Sequence, residues 1–137
     1  MPFRRAGLDS PLLAVIRILI AEDHGPLRQA LRDWLTAVWP DCQVFATDLD
    51  GVLSAAEQRQ PAVVLLGFGM PAVAGLLALS QIHRGFPKAH IIVLAAYDSP
   101  KQAAIARHAG ADAVITKDDV SRDLLPALRA ALTLAGR

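Results

Sequence analysis

Several features are scarce or missing in this chain, and each absence removes a class of function. Cys42 is the single cysteine among 137 residues, so the chain forms neither an internal disulfide nor a cysteine-based metal site. A net charge of +1 gives no electrostatic case for direct binding of nucleic acid. No uninterrupted apolar run approaches the roughly 20 residues of a membrane-spanning helix.

The residues that are present favour one folded domain. Hydrophobic residues make up 53% of the chain, and its length suits a single core. The apolar stretch after the basic N-terminus is interrupted by Arg17 and followed by acidic residues, which favours a first strand over a secretory signal. We therefore expect a cytoplasmic protein with a flexible leader over residues 1–14 and one domain over residues 15–137.

Five apolar segments alternate with five helical patterns, which is typical of a parallel α/β sheet. The predicted strands are residues 15–21, 42–47, 62–66, 89–95 and 113–116. The predicted helices lie between Asp23 and Trp39, over 52–58 and 72–84, between Ser99 and Gly110, and from Ser121 to about Ala135. Short connections with right-handed crossovers predict a doubly wound, flavodoxin-like sheet in the order 2-1-3-4-5 with helices on both faces.

Local signals predict how the helices begin and end. Asp23 is expected to cap the first helix, Ser99 the fourth and Ser121 the fifth, because short polar side chains accept hydrogen bonds from free N–H groups. Gly110 is expected to end the fourth helix. Gly75 is expected to weaken the third helix.

Four motifs, met in order along the chain, carry a resemblance to a known family. They are Ile18–His24, Pro61–Pro71, Ile91–Asp98 and Gly110–Asp118. Together they resemble the receiver domains of bacterial response regulators in two-component signalling, from residue 16 to about residue 135. The resemblance implies the CheY-like form of the flavodoxin-like fold. Because no proline follows Lys117, the chain is most similar to the LuxR/NarL subgroup.

The resemblance also implies a site at the carboxyl ends of the strands. In an active receiver, an acidic pair and an acceptor aspartate hold a divalent cation. The cation and a lysine balance the charge of the transferred phosphoryl group. Glu22, Asp23 and Lys117 match the acidic pair and the lysine, but the acceptor position is Gly67. Glycine has no carboxylate, so it cannot form an acyl phosphate.

Two further positions depart from the family pattern. Ala95 stands where a hydroxyl residue is expected to bond the phosphoryl group. Val114 stands where the aromatic partner of the switch is expected, three residues before Lys117. With Gly67, these make three losses in one mechanism. They predict a degenerate pseudo-receiver that has no catalytic residues, is not an enzyme and does not switch by phosphorylation.

The retained charged residues have more than one interpretation. Glu22 and Asp23 are either a helix-capping pair in the field of the helix dipole or weak candidates for binding magnesium. Two carboxylates make a poor cation site, so no cofactor is expected. Lys117 is either solvated or paired. We predict that it pairs with Glu22 or Asp23, because a partly buried amine without a partner is costly.

The segment around Gly67 has its own alternatives. Gly67 and Gly69 lack the length and the lysine of a phosphate-binding loop, so they are interpreted as a turn in which positive φ is permitted. Phe68 is expected in the core or over the site. The alternative function is a working receiver phosphorylated on a substitute aspartate; the candidates are Asp23, Asp48, Asp50 and Asp98.

Without phosphoryl chemistry, the function has to reside in contacts with other proteins. The last helix carries two apolar stripes. We expect one to face the sheet, and the other either is exposed as a partner surface or, like the small apolar residues of the fourth helix, packs closely on the sheet. The resemblance implies a homodimer through helices four and five or helices one and five, and a histidine kinase or another regulator as partner. The expected role is transcription control, through an output domain that is absent from this chain or through a partner protein, with DNA bound only by such an output domain. A native reading frame that continues past Arg137 into a helix-turn-helix would favour the regulatory half of a transcription factor, and one that stops there a stand-alone adaptor. No membrane contact is expected.

Overall fold

The structure, a computed structural model, describes residues 16–68 and 73–135. The predicted leader and most of the Met-Pro loop, including Gly69, lie outside the described residues. Five parallel strands form one sheet: β1 Arg17–Ala21, β2 Gln43–Thr47, β3 Val63–Gly67, β4 His90–Ala95 and β5 Ala113–Thr116. Their order is β2-β1-β3-β4-β5, which confirms the predicted topology.

Five helices follow the five strands, with bounds within two residues of those predicted. They are α1 Gly25–Val38, α2 Val52–Arg59, α3 Val73–Gly85, α4 Pro100–Ala109 and α5 Val120–Ala135. Ser99 caps α4 by accepting a hydrogen bond from the N–H of Gln102, and Gly110 ends the helix at a φ of 128°, as predicted. Within the described residues, no helix is long and apolar enough to cross a bilayer.

Two of the predicted helix caps are wrong. His24, not Asp23, is the N-cap of α1, and its Nδ1 accepts from the N–H of Leu27 at 3.3 Å. One oxygen of the Asp23 carboxylate instead accepts from the loop after β2, and Asp23 lies one residue before the N-cap of the helix. At the other end of the chain, α5 begins at Val120, so Ser121 lies inside the helix.

The early start of α5 has a local cause. A 3₁₀ turn, Lys117–Asp119, follows β5 directly and passes into the helix without a loop. The hydroxyl of Thr116 donates to the Asp119 carboxylate at 2.9 Å, and Val120 is buried. The first turn of α5 therefore follows from the end of the strand and from the burial of Val120, and it needs no serine cap.

The sheet separates two apolar cores. Helices α1 and α5 pack on one face through residues such as Leu35 and Leu124, and α2, α3 and α4 pack on the other through residues such as Leu79. For the second stripe of α5 both exposure and packing on the sheet were left open, and its leucines Leu125 and Leu132 are half-buried. Leu125 and Leu132 pack against the first core, because α5 lies in contact with β3, β4 and β5.

Candidate functional site

The carboxyl ends of three strands bring the predicted charged residues to one place. Glu22 follows β1 directly, and its backbone N–H donates to the carbonyl of Thr47 at the end of β2. Gly67 is the last residue of β3, the central strand, and Lys117 follows β5. The site therefore lies at the carboxyl ends of the strands, where open α/β sheets bind their ligands.

A buried ion pair occupies this place. The ammonium of Lys117 lies 2.9 Å from Oε1 of Glu22, and the two side chains are 22% and 3% exposed. The contact confirms the predicted pairing of Lys117 and identifies Glu22, not Asp23, as the partner. Glu22 is also the one charged residue that is buried among the described residues.

The two oxygens of Glu22 have different partners. Oε2 accepts from the backbone N–H of His24 at 2.9 Å. Oε1 is enclosed and has no well-directed hydrogen-bond donor among the described residues, although Lys117 lies at ion-pair distance. We interpret the contact as mainly electrostatic, with the lysine as the charge that balances Oε1. A buried carboxylate without such a balancing charge would be strongly destabilised.

Gly67 leaves room for this carboxylate. A Cβ added to residue 67 would lie 2.7 Å from Cδ of Glu22 and closer still to Oε1. The Glu22 carboxylate therefore fills the space that any larger residue at position 67 would need. The expectation that Gly67 serves a positive-φ turn is wrong, because it lies within β3 and Gly110 is the one described glycine with positive φ.

Asp23 points away from the ion pair. Its side chain is exposed, and Oδ1 accepts from the backbone N–H of Leu49 at 2.8 Å. The contact ties the loop after β1 to the loop after β2. Sequence reasoning placed Glu22 and Asp23 together as a capping pair or a cation pair, and the structure separates them into two different roles.

The two other positions that depart from the family pattern lie on β4 and β5. Ala95 is the last residue of β4, is half-buried, and pairs in register with Thr116. Val114 is half-buried and packs against the core beneath α2, α3 and α4. Neither side chain has a polar atom, so neither offers a hydrogen bond to a ligand.

The acidic loop residues do not approach Lys117. Within the part of the chain that the structure describes, Glu22 is the one carboxylate within 4.0 Å of the Lys117 ammonium. Asp48 accepts from the N–H of Gly51 at 2.9 Å, while Asp50 and Asp98 are exposed. These three acids lie in the loops after β2 and β4, and none of them pairs with the lysine.

Phe68 follows Gly67 and packs into the core. This is one of the two positions predicted for it, the other being over the site. Phe68 is 6% exposed, and a Cβ added to Gly75 would lie 2.5 Å from its ring. Gly75 was expected only to weaken α3. The contact between Gly75 and Phe68 was not predicted from the sequence. The available signal was a glycine within a helix, seven residues after an aromatic residue.

The donors present do not fit a magnesium ion, which the fold family implies. Both oxygens of Glu22 are engaged, one oxygen of Asp23 is bonded to Leu49, and position 67 supplies no carboxylate. Among residues 16–68 and 73–135, no three His, Cys, Asp or Glu side chains cluster as metal ligands. Magnesium requires near-ideal octahedral oxygen geometry, which this arrangement does not supply.

Comparison with known proteins identifies the family. The model of the response regulator receiver domain matches residues 18–129. This chain belongs to the receiver domain family. The transcriptional regulatory protein YhcZ of Bacillus subtilis is 32% identical over 112 residues, which cover 80% of this chain and 52% of that protein. The receiver chain spans about half the length of the curated relatives that it matches.

Solved structures support the same assignment. A LuxR-family DNA-binding response regulator from Staphylococcus aureus is 26% identical, with a TM-score of 0.72, and the match covers 85% of this chain and 98% of that one. A CheY-like receiver domain protein from Methanospirillum hungatei is 25% identical, with a TM-score of 0.76, and the match covers 88% and 96%. The CheY-like fold predicted from the sequence is confirmed.

Proposed function

We propose that this receiver is an atypical one, which is not phosphorylated at position 67 and acts as a regulatory interaction or dimerisation module. The observation that carries the proposal is the Glu22 carboxylate, held by Lys117 in the space that a side chain at residue 67 would need. Phosphorylation needs a carboxylate at this position, and Gly67 has none. The lysine that would balance the phosphoryl charge is already engaged.

The switch residues support the same proposal. A phosphorylation switch needs a hydroxyl group to sense the phosphoryl group and an aromatic side chain to change position. Ala95 and Val114 supply neither. The site therefore holds one arrangement, stabilised by its internal ion pair, and the receiver presents the same surfaces regardless of phosphoryl donors.

The wider role is proposed from the relatives. YhcZ is described as a transcriptional regulatory protein, and the Staphylococcus aureus protein as a DNA-binding response regulator of the LuxR family. We propose that this domain acts in the cytoplasm in transcription control, within the LuxR/NarL subgroup, with DNA bound by an output domain or a partner. A histidine kinase or another regulator is the proposed upstream contact, and residues 15–137 are the proposed domain.

Among the exposed large apolar residues, Val73 and Leu77 lie on α3 and Leu53 lies on α2. Between the two predicted faces of the homodimer, the remaining exposed apolar residues favour α4 and α5 over α1 and α5. Ile105 on α4 is 40% exposed, and Tyr97 just before α4 is 49% exposed. In contrast, no large apolar residue of α1 is exposed. An association through α4 would bury Ile105 and Tyr97, whereas an association through α1 would leave both in water.

The test is the mass of the intact protein after incubation with acetyl phosphate and magnesium. We expect no phosphoryl adduct on the wild-type chain. The matched variant is Gly67→Asp, which restores the acceptor carboxylate and displaces the carboxylate of Glu22. We expect the adduct on this variant.

A receiver with an aspartate at the acceptor position, treated in parallel, shows that the reagent is active. A stable adduct on the wild-type chain would overturn the proposal. Peptide mapping would then assign the adduct to Asp23, Asp48, Asp50 or Asp98, and the working receiver with a substitute acceptor would become the preferred function.

A further inference from the structure

At the β2 edge of the sheet, backbone groups of β2 have no hydrogen-bond partner among the described residues. The N–H of Gln43 donates to Ile16, and the carbonyl of Thr47 accepts from Glu22, so the odd-numbered residues of β2 bond to the β1 side. Backbone groups alternate in direction along a strand. Val44 and Ala46 therefore present their N–H and C=O groups outward, and β2 is the edge strand of the sheet formed by residues 16–68 and 73–135.

A cleft of about 440 Å³ lies beside this edge. It runs between α2 and β2 and reaches across the edge to α1. Four polar side chains of its wall are exposed, and that of Thr47 is half-buried. The exposed ones are Arg32 of α1 with Ser54, Gln58 and Arg59 of α2. The cleft therefore offers side-chain donors next to a strand that still has backbone donors and acceptors.

The charge of the cleft has one sign. Its lining contains Arg32 and Arg59 and no carboxylate, and no ion pair among the described residues includes either arginine. The guanidinium of Arg59 lies 4.4 Å from the centre of the Phe45 ring, and this contact orients it beside the edge. Two exposed guanidinium groups without acidic partners complement an anionic ligand.

We propose that the β2 edge binds an extended acidic segment of a partner protein as an added strand. Backbone bonds to Val44 and Ala46 would supply affinity, and the arginines would supply charge selectivity. Successive side chains of a strand point to opposite faces of the sheet. Two adjacent acidic residues of the partner therefore place one carboxylate toward Arg32, on the α1 side, and the other toward Arg59, on the α2 side.

The charges also argue against two other occupants. The first 14 residues of this chain carry Arg4 and Arg5 against a single acidic residue, Asp9, so they are repelled by a basic cleft. A second copy paired edge to edge would bring its own Arg32 and Arg59 against the same two residues. An acidic segment of a different protein is the occupant that the cleft complements.

The test measures fluorescence anisotropy of a labelled threonine-rich octapeptide with two adjacent glutamates at its centre, added to the whole chain. We expect saturable binding. The affinity should fall about tenfold with Arg59→Glu and again with Arg32→Glu. Arg107→Glu, the same charge reversal on exposed α4, is the matched control and should leave binding unchanged. Circular dichroism of each variant checks that the fold is kept.

Two altered peptides test the strand geometry without changing the protein. A peptide N-methylated at alternate residues on its pairing side cannot complete the backbone bonds, so its affinity should fall at least tenfold. A peptide with its glutamates two residues apart places both carboxylates on one face, so it should lose the response to one of the two arginine variants.

Several outcomes would overturn the proposal. They are no saturable binding, equal binding by the N-methylated peptide, and equal sensitivity to Arg107→Glu. Tighter binding after removal of residues 1–14 would assign the edge to that segment. A dimer that dissociates with Arg59→Glu in sedimentation would assign it to a second copy. None of these outcomes depends on whether the chain is phosphorylated, so the proposal is tested separately from the proposed function.

Discussion

At position 67, the lack of one Cβ decides where the neighbouring carboxylate lies. Glu22 occupies the space next to the Gly67 Cα, accepts from the His24 N–H and pairs with Lys117 at 2.9 Å. The end of the Glu22 side chain is flexible in principle. Here it is buried, and turning it away would separate two charges that have been removed from water.

The residue-scale prediction concerns Gly67→Ala. Alanine is normally preferred over glycine in a strand by roughly 0.5–1 kcal/mol. Here we expect a loss of about 1–3 kcal/mol in the free energy of unfolding, because the new methyl group overlaps the Glu22 carboxylate. Urea denaturation of the wild-type chain and the variant measures this difference in the free energy of unfolding.

The control for this prediction is the same change in a Glu22→Ala background, where the overlap is gone. In that background Gly67→Ala should be neutral or stabilising, so the two positions should be strongly coupled in a double-mutant cycle. Equal costs in both backgrounds would show that Glu22 does not fill the space beside residue 67.

At the scale of elements, the end of β3 is joined to α3 through an aromatic contact. Phe68 leaves the strand and lies against the helix at Gly75, where the missing side chain lets the ring approach. The backbone N–H of Phe68 donates to the carbonyl of Leu94 in β4. Contacts therefore fix both the backbone and the side chain of Phe68. Gly75 thus lowers the intrinsic propensity of α3 but permits closer packing.

The element-scale prediction compares two glycines of α3. Gly75→Ala should lower the free energy of unfolding by about 1–3 kcal/mol, because the new Cβ meets the Phe68 ring. Gly85→Ala is the matched control: nothing lies within 4 Å of its added Cβ, so it should be neutral or stabilising by up to about 1 kcal/mol. Thermal and urea unfolding measure the change in stability of both variants. If both variants were stabilised equally, the contact between Phe68 and Gly75 would be refuted.

At the scale of the whole molecule, one sheet joins two cores that share no helix. Trp34 and Trp39 pack against the core under α1 and α5, whereas Leu79 is fully buried in the core under α2, α3 and α4. In the described part of the chain, the strands of the sheet lie between the two cores. If the domain unfolds cooperatively, a substitution that destabilises one core lowers the unfolding midpoint of the other core by the same amount.

The prediction at this scale uses the two tryptophans as probes of one face. Leu79→Ala should cost about 2–5 kcal/mol and shift the tryptophan-fluorescence transition as far as the circular-dichroism transition, although Leu79 lies on the opposite face. Leu35→Ala, in the tryptophan-containing core, is the control and should shift both probes together. A fluorescence transition that stays in place in Leu79→Ala would mean that the two faces unfold separately.

The sequence by itself determined the five alternating units, the strand order, the cap at Ser99 and the identity of the residues around the site. These depend on local periodicity and on short connections, which act over a few residues. The tertiary structure alone decided that Glu22 turns inward to Lys117, that Asp23 binds the loop after β2 and that Phe68 lies on Gly75. Each of these contacts joins residues from different elements, and their choice depends on which side chain fits the space left between packed strands and helices. The same reason explains the wrong cap at Asp23, because a tertiary contact with Leu49 engages the carboxylate that the local signal had assigned to the helix.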